Sequence, residues 1–168
     1  MRYLYLIRHA KSSWSDLELN DFDRDLNKRG KRDAPFMGEV LKKMEIEPDL
    51  ILSSPAKRAK KTAIKIAKEL SYLKEKIVFK EELYEAPTKN LEYEVKNIDN
   101  RVEHLFLVAH NPSLNMFAEF LLNEHYENLV TCSVLALELN IDSWSELERG
   151  VAKELFFEYP KKYFPKES

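Results

Sequence analysis

Residues 3–11, Tyr3-Leu4-Tyr5-Leu6-Ile7-Arg8-His9-Ala10-Lys11, set an unbroken apolar run directly before an arginine, a histidine and a lysine. A run this short, aromatic and aliphatic throughout, predicts a strand buried on both faces. Strands of that kind belong to parallel sheets covered by helices. At the end of such a strand, Arg8 and His9 place a fixed cation beside an imidazole, where a sheet can present both to a phosphate. The plainer alternative makes His9 a strand cap and Arg8 a surface charge. The rest of the chain has to decide between them.

Further apolar runs at 50–52, 77–79 and 105–109 read as buried strands, and helical periodicity separates them. Met37, Val40, Leu41 and Met44 fall at i, i+3, i+4 and i+7 with charges between, which predicts an amphipathic helix that Pro35 kinks or restarts. Asn27 is the expected cap of that helix. Ser54-Pro55 predicts a second helix with Ser54 as N-cap and Pro55 in its first turn, carrying Ala59, Ala63, Ile66, Ala67 and Leu70 inward. A third begins near Asn111-Pro112 and carries Leu114, Phe117, Ala118 and Leu121. Runs at 132–139 and 151–159 predict a C-terminal hairpin that adds an antiparallel strand, and the polar tail 160–168 is expected on the surface. Strands alternating with helices imply an α/β fold: a three-layer αβα sandwich around a mostly parallel sheet. One unit spanning residues 1–168 is expected, without repeats or linkers.

Composition narrows the functional classes. A net charge of −2 gives no overall basic signature for nucleic acid. Lys57, Lys60, Lys61, Lys65 and Lys68 make one helix face basic, read first as solvated and second as a docking surface for an acidic partner. No run approaches the roughly 20 apolar residues of a membrane span, and no signal peptide opens the sequence, so a cytoplasmic location without membrane attachment is expected. The lone Cys132, in an apolar run, reads as a buried thiol, and excludes an internal disulfide or a cysteine metal cluster. His104 and His125 stand outside any motif and read as structural or surface residues. The loop acids Asp16, Glu18, Asp21 and Asp23 read as solvation first, specificity second.

In an open α/β sheet, ligands bind beyond the carboxyl ends of the parallel strands. The first strand ends in Arg8-His9, the second in Ser53-Ser54-Pro55 with Arg58 close behind, and the strand at 105–109 in His110-Asn111-Pro112. Separate crossovers thus deliver two arginines and two histidines to one edge. Two guanidiniums grip phosphate oxygens as planar forks. A neutral imidazole with one ring nitrogen tied down can attack phosphorus through the other. No metal and no cofactor is needed for that chemistry.

Arg8-His9-Ala10-Lys11-Ser12 with Trp14, Asp23 through Leu26 with Gly30, Ser53-Ser54-Pro55 with Arg58-Ala59 and Thr62, and His110-Asn111-Pro112 together resemble the histidine phosphatase superfamily, whose fold is phosphoglycerate mutase-like. Within it the chain is most similar to the SixA-type phosphohistidine phosphatases, over residues 1 to about 115 and more loosely around Trp144 and Gly150. The resemblance implies that His9 is transiently phosphorylated and that Arg8, Arg58 and His110 complete the phosphate pocket. It sets Ser12 near the phosphate and Asn111 as a helix cap. Lys11 and Trp14, beside the Arg8-His9 pair, read as its rim, with packing the equal alternative for Trp14. Ala10 stands where the wider superfamily has glycine, which favours the SixA branch over the mutases. Glu82 or Glu85 is the candidate proton donor, in a segment followed by about 17 residues before the next strand. So short a connection implies an open pocket, suited to a phosphoprotein side chain.

The function expected is a metal-independent phosphatase acting on protein phosphohistidine through a phosphohistidine intermediate. The alternatives are a small-molecule phosphomonoesterase or phosphoglycerate-mutase-like enzyme, and a non-catalytic phosphate- or phosphoprotein-binding module. The partner in each case bears phosphate, with a histidine-phosphorylated protein foremost, and a monomer or small oligomer is expected.

Overall fold

The computed structural model describes residues 1–165; the end of the expected surface tail, 166–168, lies outside them. Strands β1 (Arg2–Arg8), β2 (Leu50–Ser53), β3 (Val78–Phe79), β4 (His104–Ala109), β5 (Val134–Leu139) and β6 (Ala152–Glu158) form one sheet in the order β3-β2-β4-β1-β5-β6. β1, β4, β2 and β3 are mutually parallel, and β5 runs antiparallel to both β1 and β6. β1 is therefore interior to the sheet, paired Tyr5↔Phe106 with β4 and Tyr5↔Ala136 with β5. That position is why its run carries no polar alternation. Helices α1 (Lys28–Lys43) and α2 (Lys57–Glu69) cover one face, α3 (Thr88–Lys96) and α4 (Ser113–Leu122) the other. Successive side chains of β1 divide accordingly: Tyr5 and Ile7 join the core with α1 and α2, Leu4 and Leu6 the core with α3 and α4.

The three-layer α/β architecture stands as expected, and several local expectations are corrected. α1 does not restart at Pro35 but continues through it to Lys43. Its buried stripe of Ala34, Met37 and Leu41 holds the helix against the sheet despite the lost backbone donor. Met44 is the exposed C-cap, not part of that stripe. α2 begins at Lys57 with Ala56 at the N-cap position, so Ser54 and Pro55 precede the helix. The Ser54 hydroxyl is engaged elsewhere, with His110 and the Ala56 N–H. β5 starts two residues later than the apolar run, because Cys132, buried and free, sits at φ 60° outside the strand. The segment from 160 is not a plain polar surface: Pro160 is buried and the Phe164 ring lies 5.0 Å from that of Phe36 on α1.

Two details place the site. Asn27 caps α1, its side chain accepting from the Gly30 N–H at 2.8 Å, while its own N–H donates to the Lys11 carbonyl at 2.9 Å. Gly30 is required at this crossing, since a methyl group there would overlap the Lys11 backbone. The start of α1 is thereby pinned beside the segment that follows β1.

Candidate active site

His9 leaves β1 still held on both sides: its N–H donates to the Ala109 carbonyl at 3.3 Å, and its carbonyl accepts from the Cys132 N–H at 3.0 Å. The side chain is buried, and its Nδ1 lies 2.8 Å from the Ala10 carbonyl. A carbonyl only accepts, so Nδ1 carries the proton and the Nε2 lone pair is left available. The Thr62 hydroxyl ties this turn to α2, accepting from the Ala10 N–H at 2.9 Å and donating to the Arg58 carbonyl at 2.8 Å. One buried threonine thus fixes the spacing between the histidine turn and the arginine helix.

Arg8, His9, Lys11, Ser12, Trp14, Arg24 and Arg58 line one cleft. His110, from the end of β4, joins them from the other side, with its ring centroid 5.1 Å from that of His9. Its Nε2 lies 2.8 Å from the Ser54 hydroxyl, and its Nδ1 is buried with no hydrogen-bond partner among the described residues. Arg8 donates to the Leu129 carbonyl at 3.0 Å. The two arginines and two histidines that the sequence placed at one sheet edge are therefore brought together. Lys11 and Trp14 are exposed at the rim, as expected.

Asp21, read from sequence as solvation first, lies in the site. Arg58 donates from one terminal nitrogen to the Asp21 carbonyl at 2.6 Å and from the other to Oδ2 at 2.9 Å. Tyr84 donates its hydroxyl to the same Oδ2 at 2.7 Å, and Arg24 pairs with Oδ1 at 2.9 Å. Arg24 also donates to the Ser12 hydroxyl and lies 3.1 Å over the Trp14 ring. Ser12 is thus buried against Arg24, from the stretch Asp23 through Leu26. Pro112 holds the N-cap position of α4, and Asn111, one residue earlier, satisfies a first-turn donor by accepting from the Asn115 N–H at 3.1 Å. Of the two candidate acids, Glu85 lines a second opening of the site together with Arg58, Tyr84 and His110. Glu82 does not; it is exposed on the preceding turn, where its carbonyl accepts from Asn90.

Burial among cations sets the protonation states. Desolvation pushes His9 down to about 3, opposed by the Ala10 hydrogen bond and reinforced by His110, Arg58 and Arg8. His110 is pushed down to about 4 by burial first and Arg58 second. Burial alone would raise Asp21, but hydrogen bonds from Tyr84, Arg24 and Arg58 outweigh it and hold the carboxyl well below its usual range. Both imidazoles are neutral at physiological pH.

A neutral imidazole in the fold has a pH signature. From about 6.5, the unfolded histidine value, down to these lowered values, the unfolded chain binds more protons than the folded one. Stability therefore rises with pH across that window and is lost as pH falls from about 6.5 toward 3. The ring resonances of His9 and His110 are expected to stay fixed from pH 5 to 8 in NMR titrations. Movement of either with a midpoint near 6.5 would contradict the assigned states.

The family model for the histidine phosphatase superfamily, branch 1, matches residues 4–111. An uncharacterized chloroplastic protein of Arabidopsis thaliana is 30% identical over 153 residues, 86% of this chain and 70% of its own length. A crystal structure of a SixA protein from Agrobacterium tumefaciens superposes at TM-score 0.82 with 25% identity, covering 95% of this chain and 98% of that one. A mycobacterial glucosyl-3-phosphoglycerate phosphatase superposes at 0.68 with 17% identity, covering 92% and 97% respectively, a likeness of fold. No helix among the described residues is long and apolar enough to cross a membrane. The matched stretch runs from β1 through both histidine-bearing turns, and on that ground the chain belongs to branch 1 of the histidine phosphatase superfamily.

Proposed function

We propose that the chain is a metal-independent phosphatase that transfers a phosphoryl group to His9 and then to water, with protein phosphohistidine as its substrate. The observation that carries this is the 2.8 Å contact from His9 Nδ1 to the Ala10 carbonyl, which leaves Nε2 as the nucleophile in a cleft lined by Arg8 and Arg58. The Nε2 lone pair forms an N–P bond while the bond from phosphorus to the leaving group breaks, its electron pair departing with that group. Water then attacks phosphorus, the N–P electron pair returns to Nε2, and phosphate leaves with the water's proton released to solvent. Arg8 and Arg58 balance the charge on the phosphoryl oxygens in both steps.

Substrate class turns on the leaving group. A phosphoimidazole departs as a stable imidazole and needs little acid assistance, whereas an alkoxide needs a proton donor. The segment between β3 and β4 contributes the short α3 packed on α4, so no long lid stands over the cleft. The closer superposition on the SixA protein, 0.82 against 0.68, supports the same branch. A second reading, a small-molecule phosphomonoesterase, is favoured by Glu85, which lines the same opening as Arg58 and His110.

Turnover of a histidine-phosphorylated protein, an aryl phosphate and a sugar phosphate separates the two. The phosphohistidine protein is expected to have the highest kcat/KM, and Glu85→Gln to change it less than threefold. A loss of about 10²-fold in Glu85→Gln, as expected for a general acid, together with preference for the sugar phosphate, would favour the second reading.

A further inference from the structure

The loop between β1 and α1 leaves three large apolar side chains in solvent within six residues: Trp14 is 68%, Leu17 88% and Leu19 43% exposed. Single exposed apolar residues are ordinary on a protein surface, whereas a group of them marks a place where something binds. This loop is not loose chain. The Ser13 hydroxyl lies 2.7 Å from that of Ser15 and accepts from the Ser15 N–H at 3.1 Å. Asp16 accepts from the Glu18 N–H at 3.0 Å, and Asn20 from the Asp23 N–H at 3.1 Å. An ordered turn thus carries the apolar side chains, which lowers the entropy cost of docking on them.

Both ends of the loop are fixed in the active site. Trp14 lines the cleft that holds His9, with the Arg24 guanidinium 3.1 Å over its ring. At the other end Asp21 binds Arg58 and Tyr84. Leu17 follows Trp14 by three residues and Leu19 precedes Asp21 by two. At about 3.6 Å per residue their backbones lie within about 11 Å and about 7 Å of those anchors. A phosphoryl group entering toward His9 comes in beside Trp14, and a ligand that also covers Leu17 and Leu19 is larger than a small phosphate ester. Asp16 and Glu18, exposed in the same loop, repel an acidic flank, so the matching surface is apolar and free of acids.

We propose that this loop is the docking surface for the protein substrate: the cleft takes the phosphohistidine, and Trp14, Leu17 and Leu19 take apolar side chains within about five residues of it, at about 3.3 Å per residue of extended chain. Contact runs without a break from Trp14 in the cleft to the leucines outside it. That continuity favours the substrate over a second copy of the chain, which would crowd the mouth that the substrate has to enter. The proposal rests on the phosphohistidine reading given above and adds what the substrate carries beside its phosphate.

Two histidine peptides phosphorylated with phosphoramidate test it, one with leucines flanking the histidine on each side and one with serines at the same positions. The leucine peptide is expected to have a kcat/KM about tenfold higher, through KM, as partial burial of one leucine side chain gives. The ratio should persist in 0.5 M salt, which screens charge pairs and not apolar contact. It should fall toward one in the double variant Leu17→Ser, Leu19→Ser, while turnover of an aryl phosphate stays within twofold of the parent. Leu17→Ser alone, at the more exposed position, keeps the test intact if Leu19→Ser unsettles the loop. Equal hydrolysis of both peptides by the parent would overturn the docking surface and leave the phosphatase function standing. So would an equal loss on the aryl phosphate in both variants, which would make the loop a support for Arg24 and Arg58. A parent dimer that the variants dissociate, with no difference between the peptides, would assign the leucines to a second copy and overturn it too. Turnover of neither peptide would overturn the proposal together with the phosphohistidine reading beneath it.

Discussion

His9→Ala is expected to keep the fold and lose turnover by at least about 10⁴-fold, whatever the substrate. The size follows from removing a nucleophile for which the site has no substitute. His110 is nearest, with ring centroids 5.1 Å apart, but its Nε2 is engaged by Ser54 and its Nδ1 is buried. The fold should survive because the backbone bonds of His9 to Ala109 and Cys132 do not involve its side chain. The variant also lacks a buried imidazole that resists protonation, so its melting temperature should fall less steeply than that of the parent below pH 6.5. Circular dichroism melts at pH 5 and pH 7.5 check this. Turnover within tenfold of the parent would end the case for His9 as the phosphoryl acceptor.

The second large effect is expected at Arg58. Arg58→Ala should lower kcat/KM by about 10³-fold, in the range seen when an arginine is withdrawn from a phosphoryl-transfer site. Arg58→Lys should recover little, because an ammonium keeps the charge but loses the fork. Arg58 also holds the Asp21 carbonyl and carboxylate, so part of any loss can come from releasing the loop that bears Ser12 and Trp14. Asp21→Ala separates the contributions, since it removes the carboxylate that ties the loop to Arg58, Tyr84 and Arg24 and leaves the guanidinium in place. It is expected to cost about tenfold. If Asp21→Ala matched Arg58→Ala, Arg58 would act by holding the loop and not by contacting phosphate.

The contrast between Arg58 and Asp21 shows what could be seen in the sequence. Arg58 was legible because it follows a strand end, as Arg8, His9 and His110 do, and the topology of parallel sheets collects strand ends at one edge. Asp21 was not, because its partners Arg58 and Tyr84 lie 37 and 63 residues away, and four acids in one loop look alike before the chain folds. β1 and β4 were clear as continuous apolar runs in the sheet interior. α3 was missed because nine residues carry only Leu91 and Val95 to the core, too few for a periodic signal. Ser54 looked like a helix cap, and its hydroxyl instead holds the second histidine. Local rules identified the elements; contacts over long sequence separation decided which charged residues enter the site.

The covalent step at His9 is open to direct measurement. Rapid acid-free quenching during turnover of an aryl phosphate, followed by mass spectrometry of peptides containing residues 8–11, reads it. A phosphoryl group on His9, labile to acid, stable to base and absent from His9→Ala, is the predicted result. Full turnover with no such adduct at any quench time, at a rate of transfer fast enough to populate it, would contradict the mechanism.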